Sequence, residues 1–176
     1  MRLGAELEAI VRQDAVFMAW LEAARECCPQ EWAIGAGALR NLVWDRLTGR
    51  ANPPADVDVV FFGGAHECEV EQCLRSRLPS APWQAKDQAL VHTWYERVFG
   101  YAVEPLTSLA DAVGTWPETC TSVAVRLRPD NGRDLFAHAV LRTCSGLFCV
   151  GTPGELPSTS SAAAWPRCVL PSAGLG

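Results

Sequence analysis

Apolar residues follow two different spacings along the chain. Short apolar or alternating runs predict β-strands over four segments: Trp32–Ile34, Asp56–Phe62, Trp83–Asp87 and Thr119–Leu127. Elsewhere apolar residues recur every three or four positions, which predicts helices over Leu3–Val11, Ala38–Leu47, Glu67–Arg77 and Gln88–Phe99. This interleaving predicts an α/β (α+β) fold in which helices pack against a mixed sheet.

Polar residues mark several helix ends. Asp14 can cap a helix that carries Phe17, and Ser108 followed three residues later by Asp111 predicts a capping box. The segment Glu67–Arg77 has acids early and arginines late, as the helix dipole favours, and we interpret its charges as solvated surface.

The composition changes near Cys144. From there onward glycine, proline, serine and alanine become frequent, as in Pro153-Gly154 and in Ser158–Ser161. Such a composition is typical of a segment without a packed core. We therefore expect one domain over residues 1–143 and a flexible C-terminal tail over residues 144–176.

Overall composition narrows the function classes. The 176 residues are 49% hydrophobic and 20% charged, which is globular, and the formal net charge is −5. Extended nucleic-acid binding is not expected, because Lys and Arg contacts to phosphate dominate such interfaces. No apolar run approaches the roughly 20 residues of a membrane span, and the N-terminus lacks a signal-peptide core. We expect a cytoplasmic protein without a membrane partner.

Eight cysteines raise the question of redox state. They contain no Cys-x-x-Cys pair, so their spacing does not favour a zinc site. In a chain without a secretion signal we expect reduced thiols that serve as small hydrophobic residues, while disulfides and metal binding stay open as alternatives.

The segment Trp32–Phe62 carries the first candidate chemistry. An apolar run enters a glycine turn, Gly35-Ala36-Gly37, and leaves it as a helix. Such a turn presents unpaired backbone N–H groups and a positive helix end, which suit a phosphate. Arg40 and Asn41 lie in the first turn of that helix, close to any anion bound there, although an ordinary exposed arginine is the alternative for Arg40.

Asp56 and Asp58 are the second set of candidate functional residues. They alternate with Val57 and Val59, so on a strand the two carboxylates share one face while the valines point into a core. Two like charges on a rigid strand repel each other but suit a hard cation such as Mg²⁺. The combination indicates metal-assisted phosphoryl chemistry. The alternative is a structural acid pair, which leaves the glycine turn unexplained.

The chain also resembles a known family. Four ordered blocks, GAGALRNLVWD from Gly35, the Asp56–Phe62 strand, KDQALVH from Lys86 and WPETCTSVAVR from Trp116, are similar to a small bacterial nucleotidyltransferase family. That family belongs to the DNA polymerase beta-like nucleotidyltransferase superfamily, and the similarity spans roughly residues 14–142. The resemblance implies a polymerase beta-like core.

The resemblance also implies a set of site residues. Enzymes of this superfamily usually add a third carboxylate from a neighbouring strand, for which Asp87 is the candidate and Glu104 the alternative. Lys86 would contact phosphate oxygens, together with Arg40. We interpret His92 as a packed core residue and not as a catalytic one.

The function implied is a metal-dependent nucleotidyltransferase. Gly35 and Gly37 would approach the triphosphate, and Asp56 and Asp58 would hold Mg²⁺ or Mn²⁺. A nucleoside triphosphate, ATP first among them, would donate its nucleotidyl group to an unknown acceptor hydroxyl. The alternative is a catalytically inactive protein of the same fold that acts as a nucleotide-binding or protein-interaction module.

Overall fold

The computed structural model describes residues 2–29, 31–116, 121–127 and 135–139, with the side chains of 2–5 and 135–139 left aside. The expected C-terminal tail and the predicted turn after Leu127 lie outside these ranges. The helices are α1 Arg2–Gln13, α2 Ala15–Cys27, α3 Ala36–Thr48, α4 Glu67–Arg77, α5 Val91–Phe99 and α6 Leu109–Gly114, with a 3₁₀ turn at Gln88–Leu90. The strands are β1 Trp32–Gly35, β2 Val57–Phe61, β3 Trp83–Asp87, β4 Val123–Leu127 and β5 Leu135–Ala139.

The strands form one mixed sheet in the order β3-β2-β1-β4-β5. The β2–β3 pair is parallel, with Asp58 opposite Gln84 and Phe61 opposite Asp87. The other three pairs are antiparallel. The prediction that the first three strand segments lie in one sheet packed by helices is confirmed.

The two faces of the sheet differ in what covers them. One face packs against α1 to α4 in a large apolar cluster that includes Val57, Val59 and Trp83. The other face holds a smaller cluster around Val60, covered by α6 and by Trp116. Because side chains alternate along a strand, Asp56 and Asp58 lie on this second, less covered face.

The predicted caps are present at both helices. The amide of Phe17 donates to Asp14 Oδ1 at 2.7 Å at the start of α2. The amide of Asp111 donates to Ser108 Oγ at 3.1 Å at the start of α6. These side chains replace the missing intrahelical acceptors of the first turn, so the two helix starts could be predicted from sequence alone.

The interpretation of the α4 charges as solvated surface is wrong for two of its acids. Strand β3 lies at the edge of the sheet. Glu67 Oε1 accepts the Asp87 amide at 2.9 Å, and Glu71 Oε1 accepts the Ala85 amide at 3.0 Å. The two glutamates, one helical turn apart, therefore occupy the open hydrogen-bonding side of the edge strand.

The expectation of reduced thiols is wrong at Cys27, Cys68 and Cys73, which are disulfide-bonded. Cys27 at the end of α2 and Cys73 in α4 form a disulfide, with their Cα atoms 5.7 Å apart. The two helices pack side by side, and spacing along the chain does not reveal that proximity. Cys28 is a free thiol, and burial raises its pKa to about 12, so it stays protonated and unreactive.

None of the helices in the described ranges is both long enough and apolar enough to cross a membrane. The cytoplasmic location stays a prediction.

Candidate functional site

The glycine turn and the Asp strand meet at one point. Strands β1 and β2 pair with Ile34 opposite Val59, so the next residues, Gly35 and Asp58, are neighbours. A Cβ placed on Gly37 would lie 3.8 Å from Arg40 Nη2 and 4.0 Å from Asp56 Oδ1. The turn, the acid pair and the arginine predicted from sequence are therefore brought together.

The two glycines of the turn have different surroundings. A Cβ on Gly35 would lie 2.8 Å from the Val123 carbonyl oxygen and 3.1 Å from a ring carbon of Trp116. Gly35 is therefore required by the close approach of β4, whereas the space at Gly37 is open toward the acid pair. Between them Ala36 has a φ of 52°, a left-handed conformation that costs about 1–2 kcal/mol in an L-residue.

The start of α3 has backbone donors to offer. Its N-cap residue is Gly35, which has no side chain to accept a hydrogen bond from the first turn. Arg40, at the start of the second turn, packs its guanidinium 5.1 Å from the Trp44 ring centroid and donates to Asn41 Oδ1 at 3.4 Å. An anion at this helix start would meet uncapped N–H groups and a positioned arginine.

The two carboxylates of the acid pair are partly buried, and they differ in their hydrogen bonds. Gln84 Nε2 donates to Asp56 Oδ2 at 3.3 Å. Within the described part of the chain, Asp58 accepts no hydrogen bond. Burial and, secondarily, the charge of Asp56 raise the pKa of Asp58 to about 7, while the charge of Lys86 acts in the opposite direction.

Lys86 lies on the same face as the acid pair, opposite Val60 in the parallel ladder. It is only 4% exposed, and its Nζ lies 3.3 Å from Glu67 Oε2. Glu67 itself is fixed to the β3 edge by the Asp87 amide. A buried ammonium is thus held beside the two carboxylates.

Asp87 is not brought to this cluster. It is paired with Phe61, three residues along β2 from Asp58, and by alternation it lies on the opposite face of the sheet. Its Oδ1 accepts the amides of Gly63 at 2.8 Å and Ala89 at 3.0 Å, so it caps the 3₁₀ turn. A signal was present in the sequence, because Asp87 alternates in phase with the apolar Trp83 and Ala85.

The alternative third acid, Glu104, is an exposed residue of the segment between α5 and α6. No group of three or more His, Cys, Asp or Glu side chains suited to a metal occurs among the described residues. In that part of the chain, the acid pair at the start of β2 has no third carboxylate.

With this geometry established, comparison with known proteins identifies the family. A family model described as nucleotidyltransferase matches residues 22–153, well over half of the chain. The chain belongs to this nucleotidyltransferase family. No curated protein sequence matches it.

One solved structure supports the nucleotidyltransferase assignment. An NMR structure described as a CCA-adding enzyme head domain is 28% identical to the chain, with a TM-score of 0.60. The similarity covers 75% of this chain and 70% of that one. The fold is therefore a polymerase beta-like nucleotidyltransferase core, as the four sequence blocks predicted.

The chemistry of the acid pair suits a divalent cation. Carboxylate oxygens are the ligands that Mg²⁺ and Mn²⁺ prefer. Asp58 lacks a hydrogen-bond donor among the described residues, and its repulsion from Asp56 would be relieved by a positive charge. A pocket of about 290 Å³ opens beside Asp56 and is lined by Ala55, Asp56, Glu71, Arg75, Pro82, Trp83, Gln84 and Lys86.

Sequence reasoning missed three buried side-chain nitrogens. Gln88 Nε2, His92 Nδ1 and Trp116 Nε1 are buried, and no described residue forms a hydrogen bond with them. Gln88 is 1% exposed, and His92 follows it by one helical turn. The interpretation of His92 as a packed core residue stays a prediction, since its side chain is half-buried and Nδ1 has no hydrogen-bond partner among the described residues.

Proposed function

We propose that the chain is a metal-dependent enzyme that transfers a nucleoside monophosphate from a nucleoside triphosphate to an acceptor hydroxyl. The observation that carries the proposal is the meeting of an uncapped helix start with two carboxylates, seen in the 4.0 Å between the Gly37 Cβ position and Asp56 Oδ1. Donors for phosphate and ligands for a cation then lie side by side, as transfer of a charged phosphoryl group requires.

Each residue has a distinct task in the proposed reaction. The first-turn amides at Gly37 and beyond bind the outer phosphates, and Arg40 adds a planar pair of donors. Asn41 contacts the same phosphates. Asp56 and Asp58 hold Mg²⁺ or Mn²⁺, which supplies positive charge to the phosphate oxygens during transfer.

Two members of the expected set change their role. Gly35 serves the packing of β4 against the turn, which keeps the helix start beside Asp58. Asp87 caps the 3₁₀ turn and is left out of the proposed catalytic set. In the proposed reaction the acceptor oxygen bonds to the α-phosphorus, pyrophosphate leaves, and the acceptor proton passes to solvent, because the described residues supply no third carboxylate.

The lack of a third carboxylate among the described residues also favours a second function. A protein that binds a nucleoside triphosphate and its cation without turning them over needs the uncapped helix start and the acid pair but no further acid. Such a nucleotide-binding module would report on nucleotide level or present a partner surface.

Incubation with nucleoside triphosphates separates these functions. Parallel samples carry the label on the α- or the γ-phosphate, with Mn²⁺ and with fractions of protein, RNA and small molecules as acceptors. Transfer predicts that only the α-label becomes attached to an acceptor. Saturable Mn²⁺-dependent binding without attachment supports the second function, and absence of binding for all four nucleotides overturns both.

A further inference from the structure

The face of β3 that adjoins the acid pair carries an amide and an ammonium. Gln84 lies directly opposite Asp58 in the parallel ladder, and Lys86 follows two residues later on the same side. A carboxylate from a neighbouring strand could have reached the cluster from either position. The chain places a neutral donor at one and a positive charge at the other.

Burial of the side chain and an ion pair with Glu67 fix the position of Lys86. Its side chain is 5% exposed, and its Nζ lies 3.3 Å from Glu67 Oε2. The other oxygen of Glu67 accepts the backbone amide of Asp87 at 2.9 Å. Because one carboxylate binds both the β3 backbone and the ammonium, Glu67 ties the Lys86 charge to the strand.

A buried ammonium changes what the site can bind. Removing a lysine from water is costly unless the charge is compensated, and Glu67 contributes to that compensation. A second divalent cation beside Asp58 would be repelled by this charge and would find no third carboxylate among the described residues. Phosphate oxygens, in contrast, are attracted by it.

We infer that the acid pair binds one divalent cation and that Lys86, positioned by Glu67, supplies the second positive charge to the substrate phosphates. The inference rests on the proposed function and deepens it, because it states how the site manages with two carboxylates. It assigns Glu67 as a positioning residue that acts through Lys86.

The decisive measurement is the number of Mn²⁺ ions bound per chain of the unaltered protein. Electron paramagnetic resonance counts bound Mn²⁺ with and without α,β-methylene-ATP, a triphosphate that resists cleavage at the α-position. One ion per chain in both conditions is the expected result. Two ions with the analogue overturn the inference and leave the proposed function standing, whereas no bound Mn²⁺ overturns the proposed function itself.

Variants test the role of the ammonium. Lys86→Met keeps most of the stem and removes the charge, so affinity for the analogue falls about tenfold or more, roughly 1.4 kcal/mol, while Mn²⁺ affinity without the analogue is kept or rises. A purely structural Lys86 would lower the melting temperature and leave the analogue affinity unchanged in the folded protein. The count of Mn²⁺ stands as a test even if this variant fails to fold.

Glu67→Gln has a matched control in Glu71→Gln. Both changes alter an acceptor of a β3 edge amide, but Glu71 pairs with Arg75 and not with Lys86. Glu67→Gln is expected to change analogue affinity several-fold while the control does not. Equal effects on melting temperature and on analogue affinity in both variants would show that Glu67 acts only on the strand edge.

Discussion

The start of β2 and the end of β3 each carry a conspicuous aspartate, and the two are treated in opposite ways. Asp87, 5% exposed, accepts two backbone amides at 2.8 and 3.0 Å. Asp58 is also largely covered, yet no donor in the described part of the chain reaches it, and a second carboxylate stands nearby. Of these two aspartates, Asp58 is the one whose carboxylate oxygens remain available to a ligand.

The difference shows that aspartates on neighbouring strands can have different roles, one structural and one in ligand binding. An ionised carboxylate with backbone N–H partners is stabilised in place and holds a turn. One without partners beside a like charge destabilises the folded protein until a cation arrives. Residue type alone does not distinguish the two, because both are aspartates at the ends of apolar strands.

Substitutions of Asp58 and Asp87 should differ most in their effect on metal affinity. Asp58→Asn should weaken Mn²⁺ binding by about 100-fold or more, about 2.7 kcal/mol, because an amide oxygen carries no charge for the cation. Asp87→Asn, measured in the same titration under conditions where it is folded, should change the affinity by less than about threefold. An effect of Asp87→Asn as large as that of Asp58→Asn would return Asp87 to the site.

Stability should respond in the reverse order. Asp87→Ala leaves the amides of Gly63 and Ala89 without their acceptor, and we expect a loss of about 2–3 kcal/mol in the free energy of unfolding. Asp58→Asn should leave that free energy unchanged or raise it, since it removes one of two like charges. Urea denaturation of the metal-free proteins compares them. A strongly destabilised Asp58→Asn would indicate a structural acid pair.

The pH dependence of metal binding follows from the pKa of Asp58, raised to about 7 by burial and Asp56. Below that pH a proton competes with the cation, so Mn²⁺ affinity should fall about tenfold per pH unit and level off above it. In the metal-free protein the folded state binds more protons than the unfolded state between about pH 4 and pH 7. Its stability should therefore decrease as pH rises through that window, and Asp58→Asn should lack this slope.

The smallest effect concerns the support of Asp56. Gln84 Nε2 donates to Asp56 Oδ2 at 3.3 Å, a long contact between partly buried groups. Gln84→Ala should reduce Mn²⁺ affinity by about threefold, less than 1 kcal/mol. Calorimetric titration resolves such a change. A loss near that of Asp58→Asn would mean that Gln84 is itself a ligand.

Local sequence patterns predicted the placement of Asp56 and Asp58 but not that of Asp87. The alternation of Asp56 and Asp58 with valines gave their shared face, and the glycine turn gave the helix start, because both depend on residues close in the chain. The position of Asp87 depends on the parallel register, which pairs it with Phe61 and not with Asp58. Spacing within β3 indicates the face of Asp87, in phase with Trp83 and Ala85, but not the register that sets its distance from Asp58.

Contacts between distant segments were also beyond local patterns. The glutamates Glu67 and Glu71 bind the β3 edge because α4 packs alongside it, and the Cys27–Cys73 disulfide depends on how α2 and α4 meet. A helix with acids early and arginines late is compatible with an exposed face as well. Only the packing decides between these alternatives.

The different surroundings of Gly35 and Gly37 determine which glycine of the turn can be substituted, in evolution or by mutagenesis. Any side chain at Gly35 would meet the β4 backbone, where the nearest atom would be 2.8 Å away, so changes there are removed as folding failures before activity is ever assayed. A Cβ on Gly37 would lie 3.8 Å from Arg40 Nη2 and 4.0 Å from Asp56 Oδ1, so alanine or serine can be accommodated. A library aimed at phosphate binding would therefore keep the first glycine constant and diversify the second.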